Sequence, residues 1–559
     1  MQCFSPRRWR ALAVLCCLAP WTAAGVTAQE TATETETVPL GPPVPLVVVN
    51  VASADRLLGE VTYMFEAAGR EDMNDLVTGL LGNLGDLKGL DRTRPLGVML
   101  FLEPGFPPQP QPVGFIPVKD IDDLLETLSI GPLRAEAVVG EDGRYQLVPK
   151  NNPRPGREML AVLRGDYLFV TNTEGELLLD AELPNPVEVT QSLVNRYDAA
   201  VSVNMQSVPE AMKTILLDFV RAQAEADLQQ RDDEPESAYQ MRRAAGESNL
   251  KVFEQLLTQT DDLVLGIDAS RERQSVVVEA LIHATPDSAY AKYLQELGGQ
   301  ASHFTALLSD ASPLTLSVSW KMDEREKTLL SESIGSVQTQ MISQLEVDSP
   351  LERPINDLAA ALTETATAGH LDFFLQFRGK PPEGFVLLGG AKVARGRSIG
   401  SAVQAIFQHL QQTDMNLEAV QINAEVHQGV PFHKIVLNEV QPEDERLYGG
   451  KPGIYVGAGA NTVWFAIGGD GAMTELKQAM DTVVQNPARS LPRDRGAPFQ
   501  LVANLSQWID KLGAPEEGDP GRELAREAFS QGADMLRVDV RPTETGARLH
   551  IQLDEGFLK

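Results

Sequence analysis

The pentapeptide Gly396-Arg397-Ser398-Ile399-Gly400 has the spacing of a nucleophile elbow, in which flanking glycines let a serine project from a tight turn between strand and helix. Ser398 would attack a carbonyl carbon only with a histidine to take its proton and an acid to orient that histidine. The strand read over Phe385 to Leu388 ends several residues before the motif, and the corresponding place earlier in the chain holds Asp120. Serine and aspartate share one structural role, accepting a backbone N–H at the start of a helix, so an N-cap is the simpler expectation for Ser398. His427 and His433 stand on either side of a turn at Gln428-Gly429 and would suit a shared zinc ion, but no third ligand is evident. Ordinary strand histidines are the simpler expectation, and no metal is assigned.

Two glycine-rich loops could hold a phosphate. Gly457-Ala458-Gly459 opens like a dinucleotide fingerprint, but Thr462 occupies the place of the third glycine and a strand follows where a helix is needed. Gly468-Gly469-Asp470-Gly471 does open a helix, yet its aspartate opposes an anion, so no cofactor is expected. Arg164-Gly165-Asp166 spells an adhesion tripeptide in a place that also suits a hairpin tip. The acid pairs Asp122-Asp123, Asp232-Asp233 and Asp261-Asp262 read as helix-start or solvated charge, because a glycosidase pair cannot be picked from 78 acids. Aromatic residues make up only 6% of the chain, and Trp320, Trp464 and Trp508 lie on separate elements, which favours core packing over a carbohydrate platform.

The elements that must position these residues begin after a leader. Arg7, Arg8 and Arg10 precede the apolar run Ala11 to Pro20, and Val26-Thr27-Ala28 resembles a cleavage site, so residues 1–28 read as a signal peptide. All three cysteines fall in that segment, which leaves an expected mature chain free of thiols and disulfides. Residues 29–44 read as a flexible tether, and no later run is long enough for an integral membrane segment. The net charge of -30 disfavours nucleic acid and anionic lipid surfaces, while 43% hydrophobic residues suffice for a large core.

One design recurs along the chain: a short β-branched run ends at a polar residue and a helix follows. It is seen at Asn50 with Ser53, at Asn204 with Ser207, at Ser319 with Asp323, and at Asn504 with Ser506. Around these points the order of strands, hairpins and helices from Leu46 to His283 matches that from Leu314 to Leu553 at nearly equal length. The expected fold is therefore α+β, with two similar domains from an internal duplication, each a largely antiparallel sheet with helices packed on one face. The domains span 45–285, including a helical hairpin at 207–258, and 313–559, with a helical connector at 286–312. A doubly wound parallel sheet is the runner-up. On this duplication Asn50 should match Ser319, Asn204 should match Asn504, and Asp120 should fall near Ser398.

This layout resembles a broad type of uncharacterised exported bacterial protein built from repeated strand-helix and hairpin units with alanine- and leucine-rich helices. The resemblance covers nearly the whole expected mature chain, rests on layout and implies no activity. The reading that follows is a non-catalytic exported binding or scaffold protein of the cell envelope, in the periplasm or outside the cell. Its partner is an unspecified protein or small-molecule ligand, and residues 231–237 at the tip of the helical hairpin are the candidate partner surface. The alternative is a serine hydrolase centred on Ser398.

Overall fold

The computed structural model describes residues 43–559 apart from 84, 104–108, 131–134, 141–142, 151–157, 233, 381–383, 414–416, 488–496, 510–525 and 530–532. The expected leader, nearly all of the tether and the three cysteines lie outside the described residues.

The first half begins with β1 (Val47–Val51), α1 (Ala54–Ala67), α2 (Glu71–Asn83), β2 (Leu96–Glu103), β3 (Gln109–Pro117) and α3 (Ile121–Ile130). The hairpin strands β4 (Ala135–Val139), β5 (Tyr145–Pro149), β6 (Met159–Arg164) and β7 (Tyr167–Asn172) follow, then α4 (Glu176–Asp180) and α5 (Pro186–Val194). It closes with β8 (Ala199–Asn204), α6 (Glu210–Asp227), α7 (Glu236–Thr258), β9 (Thr260–Ser270) and β10 (Ser275–Ala284), and α8 (Ala289–Glu296) leads onward. The second half opens with β11 (Leu314–Lys321), α9 (Glu324–Ser343), α10 (Glu352–Thr367), β12 (His370–Lys380), β13 (Gly384–Lys392) and α11 (Gly396–Gln412). Then come β14 (Leu417–His427), β15 (Val430–Leu437), α12 (Pro442–Tyr448), β16 (Gly453–Ala458), β17 (Thr462–Gly468) and α13 (Ala472–Gln485). Last are β18 (Phe499–Asn504), α14 (Ser506–Ile509), β19 (Met535–Pro542) and β20 (Gly546–Asp554).

Local chemistry sets the helix starts. The Ser53 hydroxyl accepts from the Arg56 N–H at the head of α1, and Asp323 and Glu326 form a reciprocal capping box at the head of α9. Asp120 caps α3 as expected, accepting from the Asp123 N–H at 3.0 Å.

All strands join one antiparallel sheet. Its spatial order in the first half is β4-β5-β6-β7-β3-β2-β1-β8-β9-β10. The second half, read from its outer edge, is β14-β15-β16-β17-β13-β12-β11-β18-β19-β20. The halves meet where β10 pairs with β20 from Ser275 opposite Asp554 to His283 opposite Gly546. The expected α+β architecture with a largely antiparallel sheet is thus present as one continuous sheet. At the β13–β17 end it carries helices on both faces, with α13 on the side of Trp464 and Ala466 and α11 on the side of Ala458 and Val463.

The register corrects one expected equivalence. The Asn204 N–H donates to the Leu46 carbonyl and the Asn504 N–H to the Pro313 carbonyl, so matching the two asparagines places Asn50 on Ser317, two residues before Ser319. A two-residue slip preserves the face. Both Asn50 and Ser317 are buried, and neither side chain has a hydrogen-bond partner in the structure.

The two faces of the ten central strands differ in kind. One row runs Gly97, Asn50, Ala200, Gly266, Glu279, His550, Asp539, Gln500, Ser317, Phe374 across the pairings, and all but Gly97 and His550 are buried. The Tyr197 ring lies over Gly266 and Phe304 lies against Phe374, so this is the covered face, and three of the apolar clusters lie beneath it. The flanking rows point the other way. One runs Val98, Val49, Val201, Leu265, Ala280, Leu549, Val540, Phe499, Val318, Phe373, and the other Leu96, Val51, Ala199, Ile267, Val278, Ile551, Val538, Leu501, Leu316, Leu375. Every residue in them is apolar, and only Val318 is buried.

Candidate functional site

Residues from three of the second-half motifs, Arg397 and Gly400, His433, and Ala458 and Gly459, line a cleft of about 630 Å³ at one end of β15, β16 and β17. Its walls are the first turns of α11 (Arg397, Gly400, Ser401), the β14–β15 tip (Gln428 to Pro431), the loop 458–462 and the end of α13. His303, His433 and Trp464 also line it, and Arg397 has no ion-pair partner among the described residues.

Ser398 is not among the lining residues, nor is it the N-cap. The cap position of α11 is Arg395, which makes no side-chain cap, so Ser398 is the third residue of the helix. The cause is tertiary: the Gly396 N–H donates to the Ala460 carbonyl at 3.1 Å and the Val393 N–H to the Asn461 carbonyl at 2.9 Å. The loop backbone does the work of a capping side chain. The first glycine of the motif is explained by the same contact, since a Cβ at Gly396 would lie 2.3 Å from the Gly459 carbonyl oxygen. Among the described residues the Ser398 hydroxyl has no hydrogen bond to an imidazole or carboxylate.

His427 and His433 do not converge. In the β14–β15 ladder His427 lies opposite Val430 and Glu425 opposite Phe432, so alternation sends His433 to the other face. His427 Nε2 is 2.8 Å from Asp481 Oδ1 on α13, whereas the His433 ring packs against Phe407 on α11. His433 Nδ1 accepts from the Asn423 N–H at 3.2 Å, and burial lowers its pKa, so the ring is neutral with its proton on Nε2. Among the described residues no group of three or more His, Cys, Asp or Glu could hold a metal ion.

The other motifs serve packing. Gly457 lies under the Phe432 ring, where a Cβ would approach to 2.6 Å. Asp470 precedes α13, whose N-cap Gly471 makes no side-chain bond. In the tripeptide 164–166 the arginine donates to the carbonyls of Leu179 and Ala181 and the aspartate pairs with Arg94, so both charges are already engaged. At the tip of the α6–α7 hairpin, Glu234 pairs with Arg242, which also donates to the carbonyls of Asp227 and Gln229. That ties down the proposed partner surface 231–237, of which residue 233 lies outside the described residues. Trp464 is buried in the largest apolar cluster, Trp508 packs on Phe377 and Phe385, and Trp320 donates to Glu326.

Two polar clusters escaped the sequence. Ser319 Oγ lies 3.1 Å from His370 Nε2, beside Asp372 on the same strand as that histidine. This has the residue types of a triad but not its bonding. The Ser319 hydroxyl donates to the Gln300 carbonyl at 3.0 Å, so His370 must donate to it and cannot take its proton. Asp372 accepts from the Ser302 hydroxyl at 2.7 Å and the His303 N–H at 2.8 Å, which fastens the connector onto β11 and β12. Burial lowers the pKa of both His303 and His370. The second cluster lies on the seam. Glu279 of β10 meets His550 Nδ1 of β20 at 2.9 Å, accepts from the Tyr197 hydroxyl at 2.9 Å, and lies 3.3 Å from Arg196 and 3.5 Å from Arg548. The His550 bond, then Tyr197 and the arginines, hold its carboxyl down at about 2. The sequence signal was one acid in an otherwise apolar run, Val276-Val277-Val278-Glu279-Ala280.

Among the described residues no helix is long and apolar enough to cross a membrane. No family model, no curated protein and no solved structure matches this chain.

Proposed function

We propose that this is a non-catalytic binding or scaffold protein of the cell envelope, exported to the periplasm or beyond, whose halves derive from one duplicated unit. The observation that carries the non-catalytic reading is the engagement of the candidate groups. The hydroxyl and imidazole of the Ser319–His370 pair, the two hairpin histidines and the seam carboxylate each hold fixed structural bonds, and among the described residues no imidazole or carboxylate is bonded to Ser398. The common strand order of the halves supports the duplication. The leader-like residues 1–28 support export, and N-terminal sequencing of the mature chain tests it, with a start at Gln29 expected.

A fluorophosphonate probe tests the non-catalytic reading. The expected result is no covalent labelling of the folded chain and no hydrolysis of p-nitrophenyl acetate above background. Labelling of Ser398, abolished by Ser398→Ala, would establish the serine hydrolase in its place.

A further inference from the structure

An antiparallel sheet that leaves one face to solvent ordinarily makes that face polar and buries the apolar one. This sheet departs from that over its ten central strands: a row bearing charge runs among buried apolar residues on the covered face, and the two rows that lie open are wholly apolar. Val49, Val98, Leu265 and Ile267 are 45%, 40%, 41% and 46% exposed. Scattered apolar residues on a surface need no explanation, but a contiguous apolar surface marks a binding site.

The open rows form a trough with closed sides. Along one side α8 packs on Ile282 and Ala547, and the base of the α6–α7 hairpin packs near Val203 and Leu263. Along the other, Ala269, Val276 and Ala503 are buried. Between them the trough is two side-chain rows wide. From β2 to β18, before Val318 is buried on β11, seven spacings of about 4.8 Å make it about 34 Å long, comparable to the roughly 30 Å occupied by two opposed leaflets of lipid tails.

These dimensions and this chemistry select an occupant. The rows offer no hydrogen-bonding side chain, so any polar group laid on them is left unsatisfied, and the fitting ligand is hydrocarbon. Adjacent strands of a sheet rotate by about 20° each, so a straight helix or a second sheet matches only part of the trough while a flexible chain follows all of it. A second copy would also bring together two chains of net charge -30. We propose that the open trough binds the acyl chain of an amphiphile whose head carries no net negative charge. The proposal rests on the non-catalytic binding reading and names its ligand class.

The test is titration of the full chain with 1-N-phenylnaphthylamine, a neutral apolar dye, followed by displacement with lysophosphatidylcholine or lysophosphatidylglycerol. A saturable fluorescence rise is expected, reversed by the choline lipid and reversed at least tenfold less effectively by the glycerol lipid. Leu265→Lys, and the milder Leu265→Ser, replace an exposed side chain and should fold; each should weaken dye binding at least tenfold. Phe219→Ser, on the exposed side of α6, should leave it unchanged. Absence of saturable binding, equal binding by the Leu265 variants, or equal displacement by both lipids would overturn the proposal. So would sedimentation showing a stable dimer that Leu265→Lys dissociates, which makes a second copy the occupant. Failure of the dye with a silent serine probe leaves the non-catalytic reading standing, whereas labelling of Ser398 removes the reading beneath it.

Discussion

The covered and open faces of the central sheet are made by the same strands, residue alternating with residue, yet the covered face carries charge among its buried apolar residues and the two open rows carry none. On β10 the covered side carries Val277, Glu279 and Leu281, all buried, and the open side carries Val278, Ala280 and Ile282, all only half-buried. The covered face tolerates charge because each buried ion has partners: Glu279 has His550, Tyr197 and two arginines, and Asp539 has Arg541 at 2.7 Å. The two open rows have no polar side chain to satisfy, and α8 and the α6–α7 hairpin cover only the strand ends beside them. A chain under no other demand gains by burying such rows, so their exposure points to a constraint outside folding.

The contrast can be broken most strongly at Leu281, which is buried opposite the open trough. Leu281→Ala should cost about 2–5 kcal/mol in urea unfolding, the range for a truncated core leucine. Glu279→Gln should cost about 3 kcal/mol, because it leaves the surrounding arginines without their carboxylate. Glu279 also fixes the sign of an acid transition. Its folded pKa of about 2 lies below its ordinary value near 4.5, so its contribution, on the order of 3 kcal/mol, is present above pH 4.5 and lost as pH falls toward 2. Glu279→Gln should flatten that acid limb. Leu265→Ser, one residue from Gly266 of the covered row, should change stability by no more than about 0.5 kcal/mol, as for an exposed substitution. The smallest effect is expected at Ser398: with the cap made by loop carbonyls, Ser398→Ala should stay within about 0.5 kcal/mol of wild type. A loss near 2 kcal/mol would restore its capping role.

Much of the fold was legible because it was written locally. The hairpins, the Asp120 cap, the α6–α7 hairpin and the strand-helix order all follow from periodicity and punctuation. The opposite facing of His427 and His433 was not read, although a two-residue turn at Gln428-Gly429 fixes the parity of both strands. The position of Ser398 was not legible, because the carbonyl acceptors that define the α11 start come from Ala460 and Asn461, far along the chain. The break between α9 and α10 has a local mark, Pro350, in the sequence between them. Which face lies open could not be read at all. Alternation shows that a strand has a polar and an apolar side, but only packing decides which side is covered.

Photo-crosslinking with a diazirine-labelled lysophosphatidylcholine tests the central claim most directly, because it reports where an acyl chain lies. The expected adducts map to peptides carrying Val49, Leu265 and Ile267 and disappear under competition with unlabelled lipid. Adducts confined to peptides of α11 and α13, around the cleft lined by Arg397 and Met480, would contradict it and make that cleft the binding site.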